Sequence, residues 1–430
     1  MNSKDIIRNL LQENIVLATG CTEPVAVALC VAKTKELLEE APVKVELLLS
    51  KNIIKNAMGV GIPGTGMIGL PIAISLGVVC GESKKGLDIL NHVTEQHVEK
   101  AKQWLENNSI DIKQSPAPEK LYIECRMQGE HHTATAIIAH NHLNFIYLQK
   151  NDNVLYHLEQ KNETDEPVET HNYASLQAKD VYQYAIEAPL EEIIWVMDTV
   201  IVNAKASEIG MQGNYGLQLG KILYNDEDNS LRKRVIAKTC AASDARMEGA
   251  LAPVYSNSGS GNQGITCTLP VYEFGKELGC SLEKINRALI LSNLMNIYLK
   301  QHIGKLSALC GIVNASIGVA CGFVYLQGGD FTHISYVIKN MINTITGMVC
   351  DGAKPSCALK ISTGLNAAFD CSTIAIRGIV VNETDGLSEE SLERSISSLG
   401  KIGRYGMDAT DALTLEIMTN KIHCNEKTYS

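Results

Sequence analysis

The sequence predicts an α+β protein: an all-helical domain formed by residues 1–41 and 178–430, with a separate α+β domain, residues 42–177, inserted after the N-terminal helices. Three observations lead there. Apolar and polar residues alternate in several short runs between Val43 and Leu148, the period-2 mark of half-buried strands. From about Asp180 onward, apolar positions recur almost everywhere at helical spacing. A chain of 430 residues is also long enough to bury more than one core.

The N-terminal piece reads as two helices. Ile6, Ile7, Leu10, Leu11 and Ile15 mark the first, and Thr19-Gly20-Cys21 breaks it. Thr22 suits an N-cap, with Glu23 and Pro24 in the first turn, and the second helix runs to about Glu40. Strands are expected at Val43–Leu47, Leu121–Cys125, Thr133–His140 and Leu143–Leu148, with a helix over Leu87–Leu105 and a polar loop over Asn151–Thr170. Helices follow at Leu190–Ala206, Gly216–Leu223, Arg232–Met247, Leu282–Lys300, Ile334–Met348 and Glu389–Leu399. Neither an internal repeat nor a low-complexity tract interrupts them.

Composition narrows the class of function. Apolar residues make up 45% and charged residues 20%, the balance of a soluble globular chain. A formal net charge of -10 argues against a nucleic-acid partner, which needs clustered Lys and Arg; Arg232-Lys233-Arg234 reads as a solvated helix face. Asn56–Gly81 and Leu306–Gly329 are uncharged and long enough to span a bilayer. Prolines, glycines and polar residues interrupt both, so buried core segments are expected and no membrane partner. The polar, mixed-charge start carries no signal-peptide pattern, which points to the cytoplasm. With 13 cysteines, an odd number, a disulfide framework is not expected there.

Three segments match G-x-G-x-x-G: Gly59–Gly64, Gly64–Gly69 and Gly259–Gly264. None has the strand before, helix after and following acidic residue of a dinucleotide site. Their glycines instead free the backbone for close approach to a ligand or another segment. The run Ser256–Gly264 is small and polar and precedes a helix. Its N–H and hydroxyl groups could nest a carboxylate, with a plain flexible loop as the competing reading. Cys21 sits before a helix N-terminus, where the dipole favours thiolate; a buried structural cysteine competes. His131, His132, His140 and His142 fall on expected strands and read as ordinary residues.

The C-terminal cysteines are more telling. Cys350 and Cys357 bracket the turn Asp351-Gly352-Ala353-Lys354-Pro355-Ser356, and Cys310 precedes them in Ala308-Leu309-Cys310-Gly311. Three thiolates on turns suit a [4Fe–4S] cluster with one iron left open. Zinc competes, although Cys350 and Cys357 stand further apart than in a usual zinc knuckle. Spacing alone is equally compatible with unrelated buried cysteines.

The chain resembles the L-cysteine desulfidase family over nearly its whole length. The resemblance is carried by Ala18-Thr19-Gly20-Cys21-Thr22-Glu23-Pro24, the run Lys55–Gly66, Ser256–Gly264 and Cys350–Cys357. That family is distantly related to iron–sulfur L-serine dehydratases, whose catalytic part is helical with a separate α+β domain. The resemblance implies a [4Fe–4S] cofactor on Cys310, Cys350 and Cys357. It also places Cys21 at the active site, as a base or a fourth contact. The shorter Cys350–Cys357 spacing departs from the serine dehydratases and favours the desulfidases.

The implied reaction is elimination from L-cysteine to pyruvate, ammonia and hydrogen sulfide. The open iron acts as Lewis acid on the leaving sulfur, and a base removes the α-proton. Cys21 is the first candidate base, ahead of His302 and Lys305. Ser258, Gly259, Ser260, Asn262 and Gln263 would hold the substrate carboxylate. No lysine context suggests pyridoxal phosphate. Cys424, near the end of the chain, is a further candidate for the open iron, by analogy with tail cysteines of some serine dehydratases. An L-serine dehydratase, or a non-enzymatic protein binding zinc or a small anion, is the alternative. The expected partners are an amino-acid substrate and a second copy of the chain in a homodimer.

Overall fold

A computed structural model of the chain describes residues 3–158, 176–304 and 307–426, with side chains to residue 420. Its architecture is α+β, built from seventeen helices and ten strands among the described residues.

The sheet half holds β2 (Lys44–Leu49), α3 (Lys51–Ala57), the two-residue strands β3 (Gly61–Ile62) and β4 (Met67–Ile68), and α4 (Leu70–Cys80). A 3-10 turn at Ser83–Asp88 leads to α5 (Glu95–Asn107), then β5 (Ile110–Gln114), β6 (Tyr122–Gln128), β7 (Thr133–Ala139), β8 (Phe145–Lys150) and β9 (Asn153–His157). Six of these strands form one sheet in the order β5-β2-β6-β7-β8-β9. β2 pairs parallel with β5 and antiparallel with β6, and the rest is an antiparallel meander. The alternation seen in the sequence becomes facing: Val45, Leu47 and Leu49 are buried, as are Ile123, Cys125 and Met127 on β6.

The helical half begins with α1 (Ser3–Asn14), whose Ile6, Ile7, Leu10 and Leu11 enter its core. It continues with α6 (Ala178–Glu187), α7 (Leu190–Ile193), α8 (Val196–Gln212), α9 (Leu219–Tyr224) and α10 (Leu231–Met247). Then come α11 (Gly261–Glu277), α12 (Leu282–Ile303), α13 (Gly311–Leu326), α14 (Phe331–Ile345), α15 (Cys357–Ala375) and α16 (Leu392–Lys401). α13 is the uncharged segment that raised the membrane question. It is apolar all round because it is buried all round, against α11, α12, α14 and α15. Gly318 lets α12 approach: a Cβ there would lie 2.3 Å from the Ser292 carbonyl oxygen. Among the described residues, no helix is long and apolar enough to cross a membrane.

The partition differs from the sequence expectation at both ends. α2 (Thr22–Leu38), expected with the helical domain, packs against α4, β6 and β7 and buries Val25 to Ala32 in the sheet-side core. The break at Gly20-Cys21 is where the chain crosses over, so residues 22–41 lie with residues 42–158. At the other end, α17 (Asp408–Glu426) sends Leu415 into the same core and touches α3. A period of 3.6 shows that α2 is a helix; its apolar residues on every side show only that it is central, not in which core.

Local differences have local causes. Cys21, not Thr22, is the N-cap of α2. The helix expected from Leu87 starts only at Glu95, where Thr94 caps it by accepting from His97 N. β9 occupies the start of the stretch expected as a loop, and residues 159–175 of that stretch lie outside the described residues. β1 (Ile15–Ala18) and β10 (Val254–Asn257) form an antiparallel pair that carries the chain to the junction of the halves.

Candidate active site

Four segments meet at that junction, and the thiols come from two of them. Val349 bridges Leu309 antiparallel, with Cys310 N donating to Met348 O at 2.9 Å and Cys350 N to Ala308 O at 2.6 Å. Two backbone strands locked this way bring Cys310 and Cys350 side by side. Cys310 is the N-cap of α13. After Cys350 the chain turns at Gly352, whose φ of 92° and contact with Lys55 exclude a side chain: a Cβ would lie 2.0 Å from Lys55 O. Lys354 O then accepts from Cys357 N at 2.9 Å as α15 begins, which returns the third thiol towards Cys350.

Cations surround this group. The neighbouring Cys310 thiol holds Cys350 as thiolate, with help from Lys55 and Lys360 against the cost of burial, and brings its pKa down to about 6. Cys310 is correspondingly pushed up, by Cys350 and by burial, and burial pushes Cys357 up. Lys360 pairs with Asp351 and donates to Val349 O at 2.9 Å. Lys300, on α12, faces Cys350, Cys310 and Lys55, and burial lowers it to about 8. Lys55 is itself buried and paired with Asp411 of α17.

The facing wall is the start of α11. Arg246, at the end of α10, donates from Nη2 to Gly20 O at 2.9 Å. Its guanidinium lies on the bare backbone of Gly261, where a Cβ would come within 2.3 Å of Nε. Asn262 donates to Met247 Sδ at 3.3 Å. The Gln263 amide lies against Gly311, next to Cys310: a Cβ there would be 2.5 Å from Nε2. Arg246, Asn262 and Gln263 are each over nine-tenths buried, yet Arg246 Nε, Asn262 Oδ1 and Gln263 Oε1 have no partner among the described residues. Other buried polar atoms elsewhere in the protein also lack partners, but these three lie on one wall beside the thiols, where a ligand could meet them.

The expected nine-residue nest is therefore smaller. Ser256 and Asn257 belong to β10. Ser258 has a φ of 50° and donates its hydroxyl to Asn257 Oδ1 at 2.9 Å, and Ser260 Oγ caps α11 by accepting from Gln263 N. Gly259 has open space around it. Of that run, Asn262 and Gln263 keep buried oxygens with no partner among the described residues.

Cys21 stands between the walls. It packs with Val60 and Met247, and Cys357 and Ala353 pack on the same cluster. Its Sγ donates to Glu23 Oε2 at 3.0 Å. The expected depression of its pKa by the helix dipole is reversed: burial, then the Glu23 carboxylate, push the thiol well up. The β3–β4 hairpin closes over this spot, with Gly64 N donating to Gly249 O at 3.0 Å.

Of the remaining candidates, His302 meets Tyr298 edge-on with ring centroids 4.9 Å apart and faces Glu393 and Arg404. Lys305 and the Cys424 side chain lie outside the described residues. His131 and His132 offer backbone N–H groups to Glu40, and His140 occupies a left-handed turn position instead of a strand. His142, read as ordinary, faces Glu23. Sequence reasoning passed over Arg246, Lys55, Lys300 and Lys360. Arg246 had no readable signal, since it stands between Asp244 and Glu248 and looks like one charge of an ordinary solvated stretch.

Among the described residues, no three His, Cys, Asp or Glu side chains are grouped as one metal ion requires. The donor chemistry still fits an iron–sulfur cluster. Three thiols converge, one already a thiolate, amid lysines that would balance the charge of a thiolate-held cluster.

A family model described as serine dehydratase alpha chain matches residues 84–416. A protein named UPF0597 protein from Parabacteroides distasonis is 46% identical over 423 residues, covering 97% of this chain and 98% of its own. One from Bacteroides fragilis is 46% identical over 418 residues, covering 96% and 97%. One from Clostridium perfringens is 40% identical over 424 residues, covering 97% and 99%. The chain belongs to the serine dehydratase alpha-chain family, a family of lyases acting on amino acids.

Proposed function

We propose that this lyase eliminates the β-thiol of L-cysteine to give pyruvate, ammonia and hydrogen sulfide. The observation that carries the reading is the meeting of a thiol wall, Cys310, Cys350 and Cys357, with a wall of unpartnered Arg246, Asn262 and Gln263 atoms. A [4Fe–4S] cluster on the three cysteines would supply a Lewis-acidic iron that takes the leaving thiolate.

The chain's own residues do the rest. Arg246 and the first-turn N–H groups of α11 attract the substrate carboxylate, since both guanidinium and helix N-terminus favour an anion. Asn262 Oδ1 and Gln263 Oε1 accept from the α-ammonium. The Cys21 sulfur takes the α-proton as general base. Burial of both walls excludes water, which strengthens each of these contacts.

Cysteine is preferred to serine because hydrosulfide is the better leaving group and a softer ligand for iron. Serine would need proton donation to its hydroxyl, and in the resting site the Glu23 carboxylate accepts from Cys21 and does not donate. The test is anaerobic reconstitution followed by assays on both amino acids. A higher kcat/KM for L-cysteine, with sulfide and pyruvate in equal amounts, is expected. Equal or faster turnover of L-serine would move the protein to the dehydratases.

A further inference from the structure

We propose that Glu23 is the residue through which Cys21 works: its carboxylate positions the thiol and accepts its proton as the sulfur takes the α-proton of the substrate. The inference rests on the lyase reading above and names the proton's destination within that site.

Glu23 lies in the first turn of α2, two residues after the N-cap Cys21. Its Oε2 accepts from Cys21 Sγ at 3.0 Å, and its Oε1 accepts from Asn56 Nδ2 at 2.9 Å. The two oxygens are thus held by different elements, α2 and the end of α3, which fixes the carboxylate plane. The substrate side of Cys21 is also marked. Met247 packs on Cys21 and accepts from Asn262, whose buried Oδ1 has no partner among the described residues. A thiol that donates to one fixed carboxylate on one side and meets unspent polar groups on the other has the arrangement of a base backed by its own acceptor. His142, from the turn between β7 and β8, lies near enough to feel the Glu23 charge.

The step balances. The Cys21 S–H bond breaks and an O–H bond forms on Glu23. The Cα–H bond of the substrate breaks and a new S–H bond forms on Cys21. The Cα–H electron pair becomes the C=C bond of aminoacrylate, and the C–S bond breaks with its pair leaving as hydrosulfide. Glu23 is left as the neutral acid and returns to carboxylate by releasing its proton.

The experiment compares the reconstituted wild type with Glu23→Gln, Glu23→Asp and Asn56→Leu. Glutamine keeps the shape but cannot take the proton. For Glu23→Gln, kcat should fall roughly 10²- to 10⁴-fold, the range of general-base effects. Its KM and cluster absorbance should hold, and the isotope effect with α-deuterated cysteine should rise. Glu23→Asp should recover part of kcat. Asn56→Leu leaves the carboxylate but frees one oxygen, and should lower kcat about tenfold at unchanged KM. It serves if Glu23→Gln does not fold. Wild-type kcat and isotope effect in Glu23→Gln, or unaltered kcat in Asn56→Leu, overturn the role of Glu23 alone. A wild type that releases neither sulfide nor pyruvate from cysteine or serine overturns the lyase reading itself.

Discussion

One wall of the site is a ring of charge and sulfur, and the other is neutral amides around a single guanidinium. The thiol wall is satisfied from within. Cys350 has Cys310 and the Lys55 and Lys360 cations, Lys360 has Asp351, and Lys55 has Asp411. The facing wall is not, because Arg246, Asn262 and Gln263 each keep a buried atom without a partner among the described residues. A wall whose charges are balanced internally is suited to a resident group. One with unmet hydrogen bonds is suited to a visitor that comes and goes, since each unmet bond is recovered on binding. The division of labour between cofactor and substrate is therefore visible in which polar atoms are spent.

Breaking the thiol wall should have the largest effect. Cys350→Ala removes the thiol that Cys310 and the neighbouring lysines favour as thiolate. Anaerobic reconstitution of that variant should give no cluster absorbance, and turnover should fall to the assay background. A variant with normal absorbance and rate would dissolve the distinction between the walls.

The same wall has a pH signature. A thiol alkylates as its thiolate, so its rate rises with pH through its pKa. In cluster-free protein, the alkylation rate of Cys350 should have its midpoint at about pH 6, well below that of an ordinary thiol. Lys360→Met removes one of the stabilising cations and should move the midpoint upward. Peptide-resolved alkylation between pH 5 and 9 reads both, and a midpoint near 9 in the wild type would deny the thiolate.

The facing wall predicts a small effect where the sequence predicts a larger one. Ser258 was a candidate carboxylate ligand, but its hydroxyl is spent on Asn257. Ser258→Ala should change KM by no more than about twofold, within the usual range of a minor substitution.

That case shows how much of the site could be read from the sequence. The cysteines were legible because turns and glycines announce themselves: Gly352 must be glycine where Lys55 O comes so close. The Ser256–Gly264 run was legible as a place and not as a set of roles, because caps and ligands use the same polar residues. The lysines and Arg246 were hidden for another reason. A buried charge looks like a surface charge in a sequence, and only packing separates Lys55 in the core from Arg232 on the solvated face. Likewise the fold class and most elements were readable from periodicity, whereas the side on which α2 packs was not. Its apolar residues point in every direction and name no neighbour.

The central claim is that both walls grip one substrate molecule. It is tested by titrating L-cysteine into the reconstituted, cluster-loaded protein and following the cluster's electron paramagnetic resonance or visible spectrum. In the wild type the spectrum should change and saturate as substrate sulfur reaches the cluster. In Arg246→Ala the same change should need roughly 10- to 100-fold more L-cysteine, the loss expected for one hydrogen bond to a charged group. An identical titration curve in the two proteins would contradict the account, because the guanidinium would then hold nothing that the cluster senses.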